Sequence, residues 1–250
     1  GFDNNGIWAL VNAVKDLGEV AVVAPAENQS GVGAGLTLRR SVKINRAPSR
    51  VDGVECHAVS GTPGDSVILG IEHVLMGDVG VVVAGINPGF NTSRNLFISG
   101  TMGAAIVAAG KGYKSCAFSM GFEDDMDDPV VRDTVTEVAR ELMSPDTAQG
   151  ALFNVNIPMF RDGRILGAEG AVPAPSEFRS LIEARSDGGY ELFSGLSVNI
   201  ERQQFARGTD TEVLNRGRVA ISALDGPTLA HQPNDPTLRR MIDAVNRVTG

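Results

Sequence analysis

The feature that most constrains the fold is an alternation of amphipathic helices and apolar strands that continues as far as Ile157. Val20–Pro25 and Val79–Ala84 are almost uninterrupted apolar runs, which is typical of strands that are buried on both faces of a parallel sheet. Apolar residues at helical spacing over Asn5–Leu17 and Pro63–Met76 predict helices beside these strands. The alternation predicts an α/β fold with a doubly wound, mostly parallel, Rossmann-like sheet.

The remaining elements divide the chain into two predicted regions. Within 1–158, the α/β core, the pattern predicts strands Leu36–Ile44, Val54–Val59, Ser115–Ser119 and Leu152–Ile157 and helices Gly100–Gly110 and Val130–Met143. Within 159–250, three strand-like pieces predict a β-hairpin extension: Ile165–Leu166, Tyr190–Phe193 and Leu196–Ile200. A late strand, Val219–Leu224, and an amphipathic terminal helix, Pro236–Val248, are predicted to follow it.

The composition excludes several classes of function. The net charge of -8 over 250 residues argues against nucleic acid as a standing partner, because phosphate backbones are bound by a surplus of Lys and Arg. A single nucleotide stays compatible with that charge. No apolar run has the length of a membrane span and no signal peptide is visible, so we expect a cytoplasmic protein. Gly31–Gly35 precedes a strand, which argues against dinucleotide binding.

The loop after Val79–Ala84 is the most unusual segment. It contains Asn87 and Asn91 among Gly and Pro residues, directly after a buried strand. Ligands of open α/β sheets bind at the carboxyl ends of the strands. An Asn carbonyl can bind a hard divalent cation and an Asn amide can donate to phosphate. A capped turn without any ligand explains the same residues.

Three other loops carry possible ligand-binding groups, each with a structural alternative. Ser99-Gly100-Thr101 opens a helix whose free N–H groups could bind an anion, but the triplet is also a common N-cap. Gly61–Asp65 combines Thr62, Pro63 and Asp65 in capping positions and could also contact substrate. Ser30 could reach a metal, although a single Ser in such a loop is more often a turn residue.

The order of these segments resembles the SurE family of 5′/3′-nucleotidases, also described as survival protein E or acid phosphatases. The matching segments cover nearly the whole chain. They are Gly1, Gly6-Ile7, Val22–Pro25, Asn28–Gly31, Leu36–Leu38, Gly61–Asp65, Gly85–Asn91, Ser99–Thr101, Asn154–Pro158 and Gly208–Asp210.

The resemblance implies a phosphomonoesterase that hydrolyses nucleoside 5′- or 3′-monophosphates with Mg²⁺ or Mn²⁺. It implies that Ser30 and Asn87 bind the metal. It implies that phosphate is held by Asn91, Ser99, Gly100 and Thr101, and that the pocket is supported by Gly61, Thr62, Pro63, Asp65 and Asn95. It also implies a homodimer or homotetramer that exchanges a C-terminal element.

The chain departs from the family pattern at several positions. Gly1 matches the glycine that follows an Asp-Asp pair, so the principal metal carboxylates are expected just upstream of Gly1. Asn95 stands where many members have Asp, Ser93 where Gly is common, and Ile98 where Tyr or His is common. Two alternatives therefore stay open: a phosphatase of another phosphorylated metabolite, and a non-catalytic protein that binds nucleotide or phosphate.

Overall fold

The computed structural model describes residues 1–121, 125–158, 164–175, 180–194, 205–225, 230–231 and 234–249. Its α-helices are α1 (Asn5–Val14), α2 (Pro63–Leu69), α3 (Gly100–Gly110), α4 (Pro129–Met143), α5 (Asp210–Asn215) and α6 (Pro236–Thr249). Its strands are β1 (Ala21–Pro25), β2 (Ile44–Arg46), β3 (Glu55–Val59), β4 (Val81–Pro88), β5 (Lys114–Met120), β6 (Leu152–Ile157), β7 (Ala168–Gly170), β8 (Ser180–Ala184), β9 (Tyr190–Ser194), β10 (Val219–Asp225) and β11 (Ala230–His231). A π-helical turn (Gly70–Val74) continues α2, and a 3₁₀ helix (Ser93–Phe97) precedes α3.

The strands form a mostly parallel central sheet, as the alternation predicted. β4, β5 and β6 run parallel in that order, and β10 continues the sheet antiparallel to β6. β7 and β11 both pair with β10. β1 and β3 form a second parallel pair with β2 at the edge, and β8 pairs with β9 in a separate hairpin. The α/β fold class is therefore confirmed.

Two helical layers cover the central sheet. One core cluster joins apolar residues of α1, α4 and α6 to β5 and β6, and it includes the fully buried Phe118 and Phe153. A second cluster packs Met102 of α3 against Ala117 of β5, on the other face. Because successive strand residues point to opposite faces, Ser119, two residues after Ala117, also faces the α3 side.

β1 and β4 border an opening between the two sheets. Within the described residues, β1 pairs only with β3, and β4 pairs only with β5. The Phe2 N–H donates to the Pro25 carbonyl (2.6 Å), which brings the start of the chain to the carboxyl end of β1. A Cβ on Gly6 would lie 1.9 Å from the Ile86 carbonyl oxygen, so only glycine permits α1 to approach the end of β4 this closely.

Most predicted elements are present, and several differ in extent: α1 ends at Val14 rather than Leu17, and the predicted piece Ile165–Leu166 is not a strand. The predicted strand Leu36–Ile44 is wrong: only Ile44–Arg46 pairs, and Leu38 is 73% exposed. The reason is local, because the Thr37 N–H donates to the Asp65 carboxylate (2.9 Å) and Arg39 has a φ of 60°, which no strand accommodates. β4 also continues to Pro88, past the loop start predicted at Gly85.

The second region contributes to the same sheet as the first. The hairpin β8–β9, the late strand β10 and the terminal helix α6 all occur, whereas Leu196–Ile200 lies outside the described residues. Leu238, Met241 and Val245 of α6 are buried in the core of this chain. The division into two regions and the oligomeric state both stay predictions, the latter from the family resemblance.

Among the described helices, none combines the length and the apolar character that a membrane crossing requires.

Candidate functional site

Two loops and one helix start converge where β1 and β4 end. The β1 loop (residues 26–34) and the β4 loop (residues 89–98) meet through a hydrogen bond from the Gly33 N–H to the Ile98 carbonyl (2.8 Å). A Cβ on Gly100 would lie 2.9 Å from the Gln29 carbonyl oxygen and 3.1 Å from Pro63 Cγ. Glycine is therefore required at the start of α3, where the β1 loop and the start of α2 both press against it.

The two predicted metal ligands present oxygen atoms in these loops. Asn87 stands near the end of β4, and its Nδ2 donates to the Gly89 carbonyl (2.7 Å). This bond fixes the amide so that Oδ1 is the end left for a ligand. Ser30 lies in the exposed β1 loop, where its hydroxyl donates to Asn28 Oδ1 (3.1 Å) and keeps its lone pairs for another partner.

Asn91, a predicted phosphate ligand, is buried and bonded within the protein. Its backbone N–H donates to Asn156 Oδ1 (2.8 Å), and its carbonyl accepts from Asn154 Nδ2 (2.8 Å). Its own Nδ2 donates to Ser119 Oγ (2.6 Å). An Asn amide has two N–H groups, so one donor of Asn91 remains for a ligand.

The start of α3 has the form of an anion site. Ser99 is the N-cap, and its hydroxyl accepts from the Met102 N–H (3.1 Å). The N–H groups of Gly100 and Thr101 come first in the helix and have no intrahelical acceptor. These two N–H groups and the positive end of the helix dipole favour a bound anion beside the β1 loop.

The turn Gly61–Asp65 supports the β1 side of the site. Thr62 and Asp65 form a reciprocal capping box at the start of α2, with Pro63 in the first turn. Thr62 Oγ1 also donates to the Gly35 carbonyl (2.7 Å), and Asp65 accepts from the Thr37 N–H. Burial acts to raise the pKa of Asp65, but the hydrogen bonds from Thr37 and Thr62 outweigh it and hold that pKa below its ordinary value.

The three positions that depart from the family pattern lie side by side in the β4 loop. Asn95 is buried, and its carbonyl accepts from the Ile98 and Ser99 N–H groups, so its backbone joins the 3₁₀ helix to α3. Ser93 has a φ of 55°, in the left-handed region that favours glycine. The residue that replaces the common Gly thus occupies a conformation that suits Gly.

The match to known proteins decides the family. The family model of survival protein SurE matches residues 1–177. The chain belongs to the SurE family. It is 33% identical over 232 residues to 5′-nucleotidase SurE of Dehalococcoides mccartyi strain CBDB1, covering 90% of this chain and 85% of that protein. It is 35% identical to 5′-nucleotidase SurE of Methanopyrus kandleri, covering 90% of this chain and 87% of that protein.

A solved structure of the SurE family has the same fold. The crystal structure of the SurE protein from Aquifex aeolicus superposes with a TM-score of 0.70 at 27% identity, covering 90% of each chain. The predicted family and fold class are therefore confirmed together.

Four buried polar residues, three of them in the segments that match the SurE family, support the β4 loop although the sequence assigned them no role. Ser119, Asn154 and Asn156 bond Asn91, and Asp210 bonds the Ser93 N–H (2.7 Å). The two asparagines had a visible signal: they alternate with Phe153, Val155 and Ile157 in an otherwise apolar strand, so both point to one face. Nothing local identifies Asp210 as a partner of Ser93.

The oxygen atoms of Ser30 and Asn87 are of the kind that Mg²⁺ and Mn²⁺ prefer. Both ligands are neutral, and the described residues contain no cluster of three His, Cys, Asp or Glu side chains that could hold a metal. The donor set therefore fits a hard cation in type, but it supplies no negative charge of its own.

Proposed function

We propose that this SurE family member is a phosphomonoesterase that hydrolyses nucleoside monophosphates to nucleoside and phosphate. The observation that carries the proposal is the contact of the β1 loop, which contains Ser30, with the start of α3, where Gln29 presses against Gly100 and the Gly33 N–H bonds the Ile98 carbonyl. Asn87 lies near the end of β4, at the entry to the same β4 loop. Oxygen ligands for a cation beside donors for an anion suit a phosphate group. The names of the curated relatives support a nucleotide as its source.

In this proposal the residues act by positioning and by electrostatics. The N–H groups of Gly100 and Thr101 and the Ser99 hydroxyl donate to the phosphate oxygens, and the second N–H of the Asn91 amide reaches the same group. Donors that are already oriented stabilise the charge that develops in the transition state without a reorganisation cost. Ser30 and Asn87 orient their oxygens toward a divalent cation. The cation, when bound, polarises a phosphate oxygen and lowers the pKa of a water molecule.

We infer that the acidic metal ligands come from a strand in the opening between β1 and β4. Each of these strands has one side that no described strand pairs with, and Phe2 is bonded to the carboxyl end of β1. Gly1 packs against Glu27 and Asn28 of the β1 loop, so a strand that leads to Gly1 would end at this loop. Unpaired strand edges are costly, so a strand there would also stabilise the sheet. Intact-mass measurement and sequencing of the natural protein test this directly: an acidic pair preceding Gly1 is expected.

The cellular context and assembly follow from the same proposal. We propose a cytoplasmic location, as expected from the sequence, and a homodimer or homotetramer on the family resemblance. A phosphatase of another metabolite remains the second candidate, because Ser93, Asn95 and Ile98 alter the β4 loop that borders the pocket.

The decisive experiment measures phosphate release from a panel of nucleoside monophosphates and simple sugar phosphates, with Mn²⁺, with Mg²⁺ and with chelator. Metal-dependent release that is fastest with a nucleotide is expected. Asn87→Ala removes the proposed cation ligand and should reduce release by about 100-fold or more. Asn45→Ala removes the same side chain from the exposed edge strand β2 and should leave release unchanged.

Each alternative has its own outcome. Faster release from sugar phosphates than from any nucleotide would replace the nucleotide as substrate. Phosphate binding without release in any metal would favour the non-catalytic alternative. Equal activity in Asn87→Ala and Asn45→Ala would remove Asn87 from the metal site.

A further inference from the structure

Asp210 lies in the motif Gly208-Thr209-Asp210, which has no part in the proposed reaction. It begins α5 and its side chain is 0% exposed. One carboxylate oxygen accepts from the Ser93 N–H (2.7 Å), and the other accepts from the N–H groups of Ala174 (3.0 Å) and Thr211 (2.7 Å). One side chain thus joins three segments that are remote in sequence.

The carboxylate suits this place because it accepts hydrogen bonds and donates none. All three of these donors are backbone N–H groups, and no described residue forms an ion pair with Asp210. Burial of an unpaired carboxylate is costly, and it persists where several donors are bound at once. An Asn side chain would turn an NH₂ group toward one of these N–H donors.

Ser93 needs such a restraint because of its backbone conformation. Its φ of 55° places a residue with a Cβ in the left-handed region, which is unfavourable for any residue except Gly and, to a smaller extent, Asn and Asp. The Ser93 hydroxyl is buried and has no hydrogen-bond partner in the described part of the chain. The hydroxyl therefore does not hold the conformation, and the backbone bond to Asp210 does.

The bond to Ser93 lies close in sequence to the bonds that attach Asn91 of the β4 loop to the sheet. Asn154 and Asn156 bond the backbone of Asn91 from the sheet below, and Asp210 bonds Ser93 two residues later. Asn87 precedes these attachments in the chain, and Ser99, Gly100 and Thr101 follow them. Both ends of the loop that carry proposed ligands therefore depend on how positions 91 and 93 are held.

We propose that Asp210 is a positioning residue of the site, whose carboxylate holds Ser93 in the left-handed conformation and thereby fixes the β4 loop between Asn87 and the start of α3. Its kinetic consequence rests on the proposed phosphatase function, whereas its effect on the loop does not. A misplacement of about 1 Å in such a site costs on the order of 100-fold in rate.

The test uses the full chain in four forms: wild type, Asp210→Asn, Ser93→Gly, and the double variant. Asp210→Asn should lower kcat/KM for phosphate release about 30- to 100-fold. Ser93→Gly alone should stay within about 3-fold of wild type, because Gly adopts a φ of 55° without strain. The double variant should regain about 5-fold or more over Asp210→Asn, since the strained residue is gone. Asp243→Asn, an exposed charge removal on α6, is the matched control.

Hydrogen exchange gives a measurement that does not need activity. The Ser93 amide should be protected in wild type, and the β4 loop should exchange faster in Asp210→Asn than in Asp243→Asn, while β5 and β6 stay unchanged. Fast exchange of Ser93 in wild type would overturn the proposal even if Asp210→Asn does not fold. The proposal would also be overturned if kcat/KM of the double variant did not rise above that of Asp210→Asn. That result is expected if Asp210 only stabilises α5. Loop protection without any phosphate release would contradict the proposed function and leave the positioning role intact.

Discussion

The two loops that meet at the site are held in very different ways. The β4 loop is largely buried, and its residues 91 and 93 are bonded to side chains from β6 and α5. The β1 loop is largely exposed, and in the described part of the chain the Ser30 hydroxyl bonds to Asn28 of its own loop alone. One half of the site is therefore built into the core before any ligand binds, whereas the other half can adjust to the ligand. This difference predicts that mutations in the two halves separate stability from activity.

The largest effect on stability is expected when the β4 loop loses its attachment to the sheet. Asn156→Ala removes the acceptor of the Asn91 N–H and leaves that buried group unsatisfied. The free energy of unfolding should fall by about 2–3 kcal/mol, with a loss of phosphate release, as measured by urea unfolding and activity. Asn45→Ala is the control. If Asn156→Ala were as stable as Asn45→Ala, the bond from Asn156 of β6 would not hold the β4 loop.

The titration of Asp210, which bonds the Ser93 N–H, is expected to change the free energy of unfolding by about 2 kcal/mol. Burial raises the pKa of Asp210 to about 6, against the lowering effect of the N–H donors of Ser93, Ala174 and Thr211. The native state then binds the proton more tightly than the unfolded chain, so this group's contribution to stability falls as pH rises from about 4 to 6. Between pH 4.5 and 7 the loss is about 2 kcal/mol.

Urea unfolding of wild type and Asp210→Asn at both pH values measures this contribution. Asp210→Asn cannot titrate at position 210, so the difference between the two proteins should change with pH. An unchanged difference would mean that Asp210 titrates alike in the native and unfolded states.

The β1 loop should show the opposite behaviour. Ser30→Ala removes an exposed hydroxyl that bonds to the neighbouring Asn28 side chain, so the free energy of unfolding should change by less than about 0.5 kcal/mol. Phosphate release should still fall about 10-fold at limiting metal, and added Mn²⁺ should recover part of it. A loss of stability as large as that of Asn156→Ala would remove the contrast between the loops.

A smaller loss of stability than that of Asn156→Ala is expected at the turn that supports the β1 side. Thr62→Ala removes the N-cap of α2 and the bond to the Gly35 carbonyl, and should cost about 1 kcal/mol. Thr62→Ser keeps the hydroxyl and is the matched control in thermal unfolding. If Thr62→Ala and Thr62→Ser destabilise the protein equally, the Thr62 methyl group rather than the hydroxyl cap provides the stabilisation.

The sequence predicted those parts of the fold that depend on local pattern. α3 and β6 begin and end where periodicity and apolar runs placed them, because Gly100 and Gly110 bound one and a continuous buried run defines the other. Leu36–Ile44 failed because the Thr37 N–H bonds the Asp65 carboxylate and Arg39 has a φ of 60°, so most of the segment cannot pair as a strand. Strand pairing is a tertiary property, and a pattern of period two does not supply it.

The site was predictable in its ligand-bearing loops and not in its supports. Asn87 and Ser99 follow visible strand ends and helix starts, so their neighbourhood could be inferred. The contact between Asp210 and Ser93 spans 117 residues, and neither residue has a local signal for it. The left-handed φ of Ser93 was equally invisible, since Ser gives no indication of such a conformation.

Hydrogen exchange of both loops, with and without Mn²⁺ and inorganic phosphate, tests most directly whether the β4 loop is held before a ligand binds and the β1 loop is not. Residues 89–98 should already be protected in the free protein. The protection gained on binding should be confined to residues 26–34 and the first turn of α3. Exchange in 26–34 that does not respond to Mn²⁺ and phosphate, or a β4 loop that becomes protected only on binding, would contradict it.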